Sequence, residues 1–373
     1  MSTSFLLYWT LVSNNLSAGL LQWAEVPPLP PKAHSLAAEF FPNGCCLQNA
    51  ELIVIIIPKG DLRSDNTNHT PFPVRRARSG SEEKEEQMND MTYDRATQDV
   101  GNILGMEHVN VTVPDPTLAL TFYVSGLGLT RDPYMMVGPE NMWINVGQQQ
   151  FHLPTREPQV FTGYIGVVMP DIEALKLRLK RVEDRLAGTA FSWSAENGHV
   201  AVTCPWGNRF RCYAPGPQFG EMTLGIPYVE ILVKPGTAEG ISQFYLKVMQ
   251  APAIFTEEKK EAVTRVRVGC AQELRFRETT ADLPSYDGHH IAVYIANFSA
   301  PHAFLKRQNL ITQESDDHQY RFQTIINPWT GQPLCELEHE VRSLYHPMYG
   351  REMVNRNPLQ RITAYARGRD AFA

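Results

Sequence analysis

Between Tyr286 and Phe298 the sequence reads YDGHHIAVYIANF, with two adjacent histidines at the head of an alternating, β-branched run. A strand has no structural need of imidazole at that place. Imidazole and carboxylate groups are ordinary ligands for zinc, iron, nickel and manganese. Successive strand residues face opposite ways, so His289 and His290 cannot both join one site. Other ligand types point away from a thiolate centre. The cysteines Cys45, Cys46, Cys204, Cys212, Cys270 and Cys335 form no Cys-x-x-Cys pair, which excludes a zinc knuckle or a thioredoxin-type motif. Four of them sit singly in apolar, strand-like runs, as reduced buried thiols do. That favours a reducing compartment, the cytoplasm, with organellar import through the N-terminal segment as the alternative. His199, His302, His318 and His346 read as packing or surface residues.

The 373-residue chain is long enough for two domains. A formal net charge of -6 gives no basic field for nucleic acid. No segment reads as a bilayer span, and FLLYWTLV lacks the preceding basic residue of a signal peptide. Residues 1–88 carry VPPLPPK, VRRARSG and SEEKEE, interrupted by ELIVIIIP, and read as a largely disordered extension.

From about residue 105 a repeat sets in. MEHVNVTVPD, GYIGVVMPD, PYVEILVKPG and HHIAVYIANF alternate as strands. Helical stretches follow each: PTLALTFYVSGLGL, IEALKLRLKRVEDRL, TAEGISQFYLKVM and SAPHAFLKRQNL. The pairs Phe122-Tyr123 and Phe244-Tyr245 lie at matching depth in two of them. Further strands close each unit, such as QQQFHLPT, NRFRCYAP, QELRFRET and PLCELEHEV. The expected class is α+β, with four βαβββ modules pairing into two half-open barrels. Modules 1 and 2 span 105–220, modules 3 and 4 span 221–345, and a tail runs over 346–373. The tail is expected either to lie across a barrel mouth or simply to pack.

TLALTFYVSGLGLTRDPY resembles the helix-and-turn signature of the vicinal oxygen chelate superfamily. CPWGNRFRCYAPG is similar to its closing-strand motif, usually Asp-Pro-x-Gly-Asn followed by a glutamate. That superfamily includes glyoxalase I, extradiol ring-cleaving dioxygenases and bleomycin-resistance proteins. The resemblance covers 105–345 and implies two inward ligand positions per module, on its first and last strands. Strand parity places His108, Tyr164, Tyr228 and His290 at the first positions, with Asn110 and Thr112 sharing the face of His108. It places His152, Arg211, Arg275 and Glu336 at the second, with Glu338 on the same face as the alternative to Glu336.

Arginine stays protonated and does not ligate, so modules 2 and 3 offer no ligand set. Consecutive pairing leaves neither barrel with a complete site. Nested pairing, one with four and two with three, gives one barrel His108, His152, His290 and Glu336 as metal ligands. Tyr164 and Tyr228 then fill the other barrel, and Arg211 and Arg275 either pair structurally or form an anion pocket.

The resemblance implies a divalent metal (iron, nickel, manganese or zinc), and a lyase or isomerase acting on a small oxygenated compound. Glu336 or Glu338 would move the proton as catalytic base. One alternative is an extradiol-type dioxygenase with iron(II) on His108, His290 and Glu336, and His152 as a nearby acid–base group. Tyr228 counts against it, because those enzymes build the site within consecutive modules. Another is a non-catalytic protein of this fold that binds a small molecule or partner. The partner expectations are a small-molecule substrate, no nucleic acid, no membrane, and a monomer or homodimer.

Overall fold

The computed structural model of the protein describes residues 94–133, 138–258, 261–351 and 353. The extension proposed for 1–88 and the closing QRITAYARGRDAFA lie outside the described residues.

Four modules follow one another. In module 1, β1 (Ile103–Asn110) leads into the helix α1 (Pro116–Ala119), then β2 (Thr130–Arg131), β3 (Asn141–Val146) and β4 (Gln149–Pro154). In module 2, β5 (Tyr164–Val168) and α2 (Ile172–Val182) precede β6 (Ser192–Glu196), β7 (His199–Thr203) and β8 (Arg209–Tyr213). Module 3 comprises β9 (Gly225–Val233), α3 (Ala238–Phe244), β10 (Ala253–Glu258), β11 (Glu261–Arg267) and β12 (Glu273–Glu278). Module 4 comprises β13 (His290–Ile295), α4 (Ser299–Arg307), β14 (Ile311–Asp316), β15 (Gln319–Ile326) and β16 (Pro333–Ser343).

Local chemistry explains the helices. The Asp115 carboxylate accepts from the Thr117 and Leu118 amides and Pro116 opens α1, a strong start signal. Asp171 caps α2 in the same way, accepting from Ala174, and that helix buries Leu175, Leu179 and Val182 along one stripe. α1 and α3 each widen into a π-helical turn, at Leu120–Gly126 and Tyr245–Met249. At these widened turns the adjacent Phe122-Tyr123 and Phe244-Tyr245 are all fully buried.

The strands form two eight-stranded sheets. One has the order β14-β15-β16-β13-β1-β4-β3-β2, and the other β10-β11-β12-β9-β5-β8-β7-β6. Pairing is therefore nested: β1 meets β13 antiparallel, and β5 meets β9 antiparallel. Each first strand also runs parallel to the last strand of its own module. The aromatic core links modules differently. Phe122 of module 1 packs on Phe210 of module 2, with ring centroids 5.6 Å apart, and Phe244 of module 3 packs on Phe322 of module 4 at 5.8 Å. Among the described residues no helix is long and apolar enough to cross a membrane.

His339 belongs to this core rather than to a site. Its ring stacks on Phe322 at 4.5 Å, Nδ1 meets the Leu337 carbonyl, and Nε2 meets the Tyr245 hydroxyl. Burial lowers its pKa to about 4. Below the ordinary value of about 6.5 the unfolded chain takes up a proton that the folded chain refuses, so stability falls with falling pH. The contribution is expected to decline from pH 6.5 towards pH 4, by about 3 kcal/mol in total, and then to level off. Urea unfolding of His339→Phe at pH 7 and pH 4.5 checks this. The variant should lose that part of the slope.

Candidate metal centre

The site is read from the register of the first sheet. His108 of β1 lies beside Gln150 of β4 and Ala292 of β13, and Ala292 lies beside Glu340 of β16. One rung along, Asn110 lies beside His152 and His290, and His290 beside Glu338. Side chains two apart on a strand share a face, so these rungs present their groups to the same concave surface.

His108, His152 and His290 converge there, each offering a ligand atom within 4.8 Å of the others. The ring centroid of His108 is 5.7 Å from that of His152 and 5.8 Å from that of His290. His108 Nδ1 lies 2.9 Å from a Glu107 carboxylate oxygen. A carboxylate only accepts, so in the neutral ring Nδ1 carries the hydrogen and Nε2 the lone pair. That Nε2 is buried with no hydrogen-bond partner, as is Nε2 of His290. His152 stacks on Trp143 at 3.9 Å, and its Nε2 lies 2.5 Å from Asn141 Oδ1. Burial, then the charges of His108 and Arg342, lower the His152 pKa to about 2. Burial likewise drives the His290 pKa far down, reinforced by His108 and Arg321. These two rings are neutral, the form that ligates.

A charged network surrounds the histidines. Arg342 pairs with both Glu107 and Glu340, and Arg321 with both Glu338 and Glu340. Tyr294 donates to Glu107 at 2.9 Å. Glu107 resists the upward push of burial because Arg342, His108 and Tyr294 hold its pKa down to about 2. Burial also pushes Glu340 up, but Arg342, His108 and Arg321 outweigh it and hold it low. Three carboxylates therefore face two guanidiniums, leaving one formal negative charge beside the histidines. Unpartnered imidazole nitrogens and a net negative surround fit a divalent cation.

The two expected carboxylates, Glu336 and Glu338, are placed differently. Glu336 is exposed, pairs with Thr324 and accepts from Gln323 at 2.7 Å, so it stands at the rim outside the histidine group. Within each module, the inward residue of the first strand faces a partner on the last strand, and the next inward residue of that last strand lies two residues beyond the partner. His108 faces Gln150, giving His152; His290 faces Glu338, giving Glu340. Glu338 approaches His290 Nδ1 at 3.5 Å, and Glu340 approaches its Nε2 at 3.7 Å. Glu107, Arg321 and Arg342 were missed altogether. Glu107 is hidden from parity by a bulge between Met106 and His108. Arg342 could have been found, because Glu338, Glu340 and Arg342 alternate on one strand face.

His289 faces elsewhere. Its Nδ1 meets Asp287 at 2.6 Å and its ring packs against Phe161 at 4.1 Å. Residues 344–351, beyond β16, fold back on this sheet, where Arg351 inserts between Asp132 and Gln150 and Tyr349 packs on Tyr294.

The same register rule in the second sheet gives Tyr164 with Arg211 and Tyr228 with Arg275. The Arg211 guanidinium lies 3.6 Å from the Tyr164 ring centre, and that of Arg275 lies 3.8 Å from that of Tyr228. The Tyr228 ring crosses Gly166, where a Cβ would stand 2.4 Å from it. No ligand set exists among these four residues.

No protein-family model matches the chain, and no curated protein matches its sequence. Among solved structures it is similar to glyoxalase I from Zea mays, at 12% identity and TM-score 0.43, over 64% of this chain and 92% of that one. It is also similar to a putative dioxygenase from Bacillus subtilis, at 13% identity and TM-score 0.44, over 65% and 86%. Catechol 2,3-dioxygenase matches at 12% identity and TM-score 0.25, over 64% and 88%.

The ion network gives a direct test. Arg342→Met leaves Glu107 and Glu340 buried without their shared counter-charge. Such a loss costs about 3–5 kcal/mol, read as a lowered urea midpoint at pH 7.

Proposed function

We propose that this protein is a metal-dependent enzyme of the lyase or isomerase type, acting on a small compound with oxygens on neighbouring carbons. His108, His152, His290 and Glu340 would hold the metal, and Glu338 would move the proton. One observation carries the proposal: two buried imidazole Nε2 atoms, on His108 and His290, lack a hydrogen-bond partner in a cluster of three histidines whose ligand atoms lie within 4.8 Å of one another. Each such atom costs about 1–3 kcal/mol if left unmet, and a cation satisfies both. When bound, the metal supplies a Lewis acid to a substrate oxygen.

The chain's own residues supply the rest. Glu107 orients His108 and raises its basicity, as a carboxylate behind a ligating histidine does. Arg321 fixes the spacing of Glu338 and Glu340 by holding both. The Glu338 side chain is 21% exposed, against 3% for Glu340, so Glu338 can exchange a proton with a substrate or solvent.

Elemental mass spectrometry of the full chain should find about one metal per chain, iron, nickel, manganese or zinc, and none in His290→Ala. Glu107→Gln should weaken metal affinity by about 10–100-fold, and Glu336→Gln should leave it unchanged. If the parent chain takes up no metal after reconstitution with each of the four, the proposal is wrong.

A specific observation favours a second reading. His152 is already engaged by Asn141 and Trp143. Without it, His108, His290 and Glu340 form a two-histidine, one-carboxylate set suited to iron(II) and dioxygen. In that case His152→Ala should retain its iron, and oxygen consumption should depend on an added catechol. Loss of metal in His152→Ala would exclude it.

A further inference from the structure

The two sheets are built on one register but carry opposite charge at its key positions. Where the first sheet places imidazoles and Glu340, the second places Arg211 and Arg275 on tyrosine rings. More guanidiniums share that concave face. Arg265 lies beside Arg275, and Arg267 beside Glu273. Arg209 stands two residues before Arg211 on β8.

Glu273 is shared by Arg265 and Arg275, and Glu230 by Arg211 and Arg277, with Arg277 also on Glu261 at 3.2 Å and Arg211 held only at 3.8 Å. Arg209 is bonded to the Thr162 carbonyl and the Tyr164 hydroxyl. Arg267 is bonded to the carbonyls of Thr97 and Asp99. Neutral oxygens satisfy N–H groups but cancel no charge, so Arg209 and Arg267 add uncompensated positive potential to the face.

A cavity of about 420 Å³ opens here, with Arg265, Arg267, Arg275 and Glu273 in its wall and Gln218 and Phe219 along its edge. That size suits a small molecule and not a polymer. Tyr228 organises it: the Arg275 guanidinium lies over its ring, and its hydroxyl bonds to Tyr213 at 2.8 Å and to Arg211. Stacking fixes the Arg275 guanidinium plane, and with Nε and Nη2 already on Glu273 it is Nη1 that is left to meet an oxyanion.

We propose that this second concave face is a binding site for a small organic dianion, a dicarboxylate or a phosphate ester. Arg267 and Arg275 are its main contacts, and Arg211 supports it from the far end of Tyr228. The ligand neutralises like charges that the fold has gathered on one surface. It needs no metal and does not share the histidine site.

The test is calorimetric titration of the full chain with inorganic phosphate and with succinate, at fixed ionic strength, against chloride and acetate as controls. Saturable binding of phosphate or succinate is expected, at least tenfold tighter than acetate, and whichever anion binds tighter names the ligand's chemistry. Arg267→Gln and Arg275→Gln should each weaken it tenfold or more, while His290→Ala should bind as the parent does. That last variant separates this site from an anion held at the metal centre. Equal heats for phosphate, succinate and chloride in the parent chain would overturn the proposal without recourse to any variant. So would full binding in folded Arg267→Gln and Arg275→Gln.

Discussion

Everything in the first sheet depends on the antiparallel register of β1 against β13. Asn110 opposite His290 and His108 opposite Ala292 set the two histidines on neighbouring strands, one rung apart. A slip of one residue would turn one strand's histidine into the hydrophobic layer and bring Val109 or Ile291 to the concave face. The register is held from the other side of the sheet, where Val109, Val111, Ile291 and Val293 are fully buried. Packing on the convex face thus specifies chemistry on the concave one.

Once that pairing exists, the charge pattern follows from which modules meet. Modules 1 and 4 bring imidazoles and three carboxylates that outnumber Arg321 and Arg342, and modules 2 and 3 bring a surplus of arginines stacked on tyrosines. Consecutive pairing would have set the arginines of one module against the histidines of the next. Repulsion between guanidinium and cation would then weaken any metal site. Nested pairing separates the two chemistries, and it does so without breaking the aromatic contacts between consecutive modules, Phe122 with Phe210 and Phe244 with Phe322.

Much of this was legible in the sequence. Alternation revealed the strands, helical spacing revealed the helices, and the Phe-Tyr pairs marked equivalent turns. The uneven distribution of histidine and arginine indicated the nested pairing. The register of the last strand was not legible. β15 and β16 carry two irregularities along their ladder, so counting from the turn led to the exposed Glu336, whereas Glu338 and Glu340 are the carboxylates that approach His290. Glu107 was hidden for a related reason, since a bulge moves it onto a face that alternation denies it. Periodicity reports which face a residue takes only while the ladder is regular.

The concave face of the first sheet is also the place where the ordinary rules of burial fail. His108, Glu107, Gln150, Glu340 and Arg342 are all buried, and well-packed apolar residues in their place would be as stable or more so. Ion pairing accounts for the charged members, since each carboxylate has its guanidinium. It does not account for the imidazoles. Glu107 holds one nitrogen of His108 and leaves the other bare, and His290 Nε2 has no hydrogen bond although Glu340 lies nearby. One ring nitrogen each of His108, His290 and His152 lies within 4.8 Å of the others, a convergence of imidazoles that folding alone does not require.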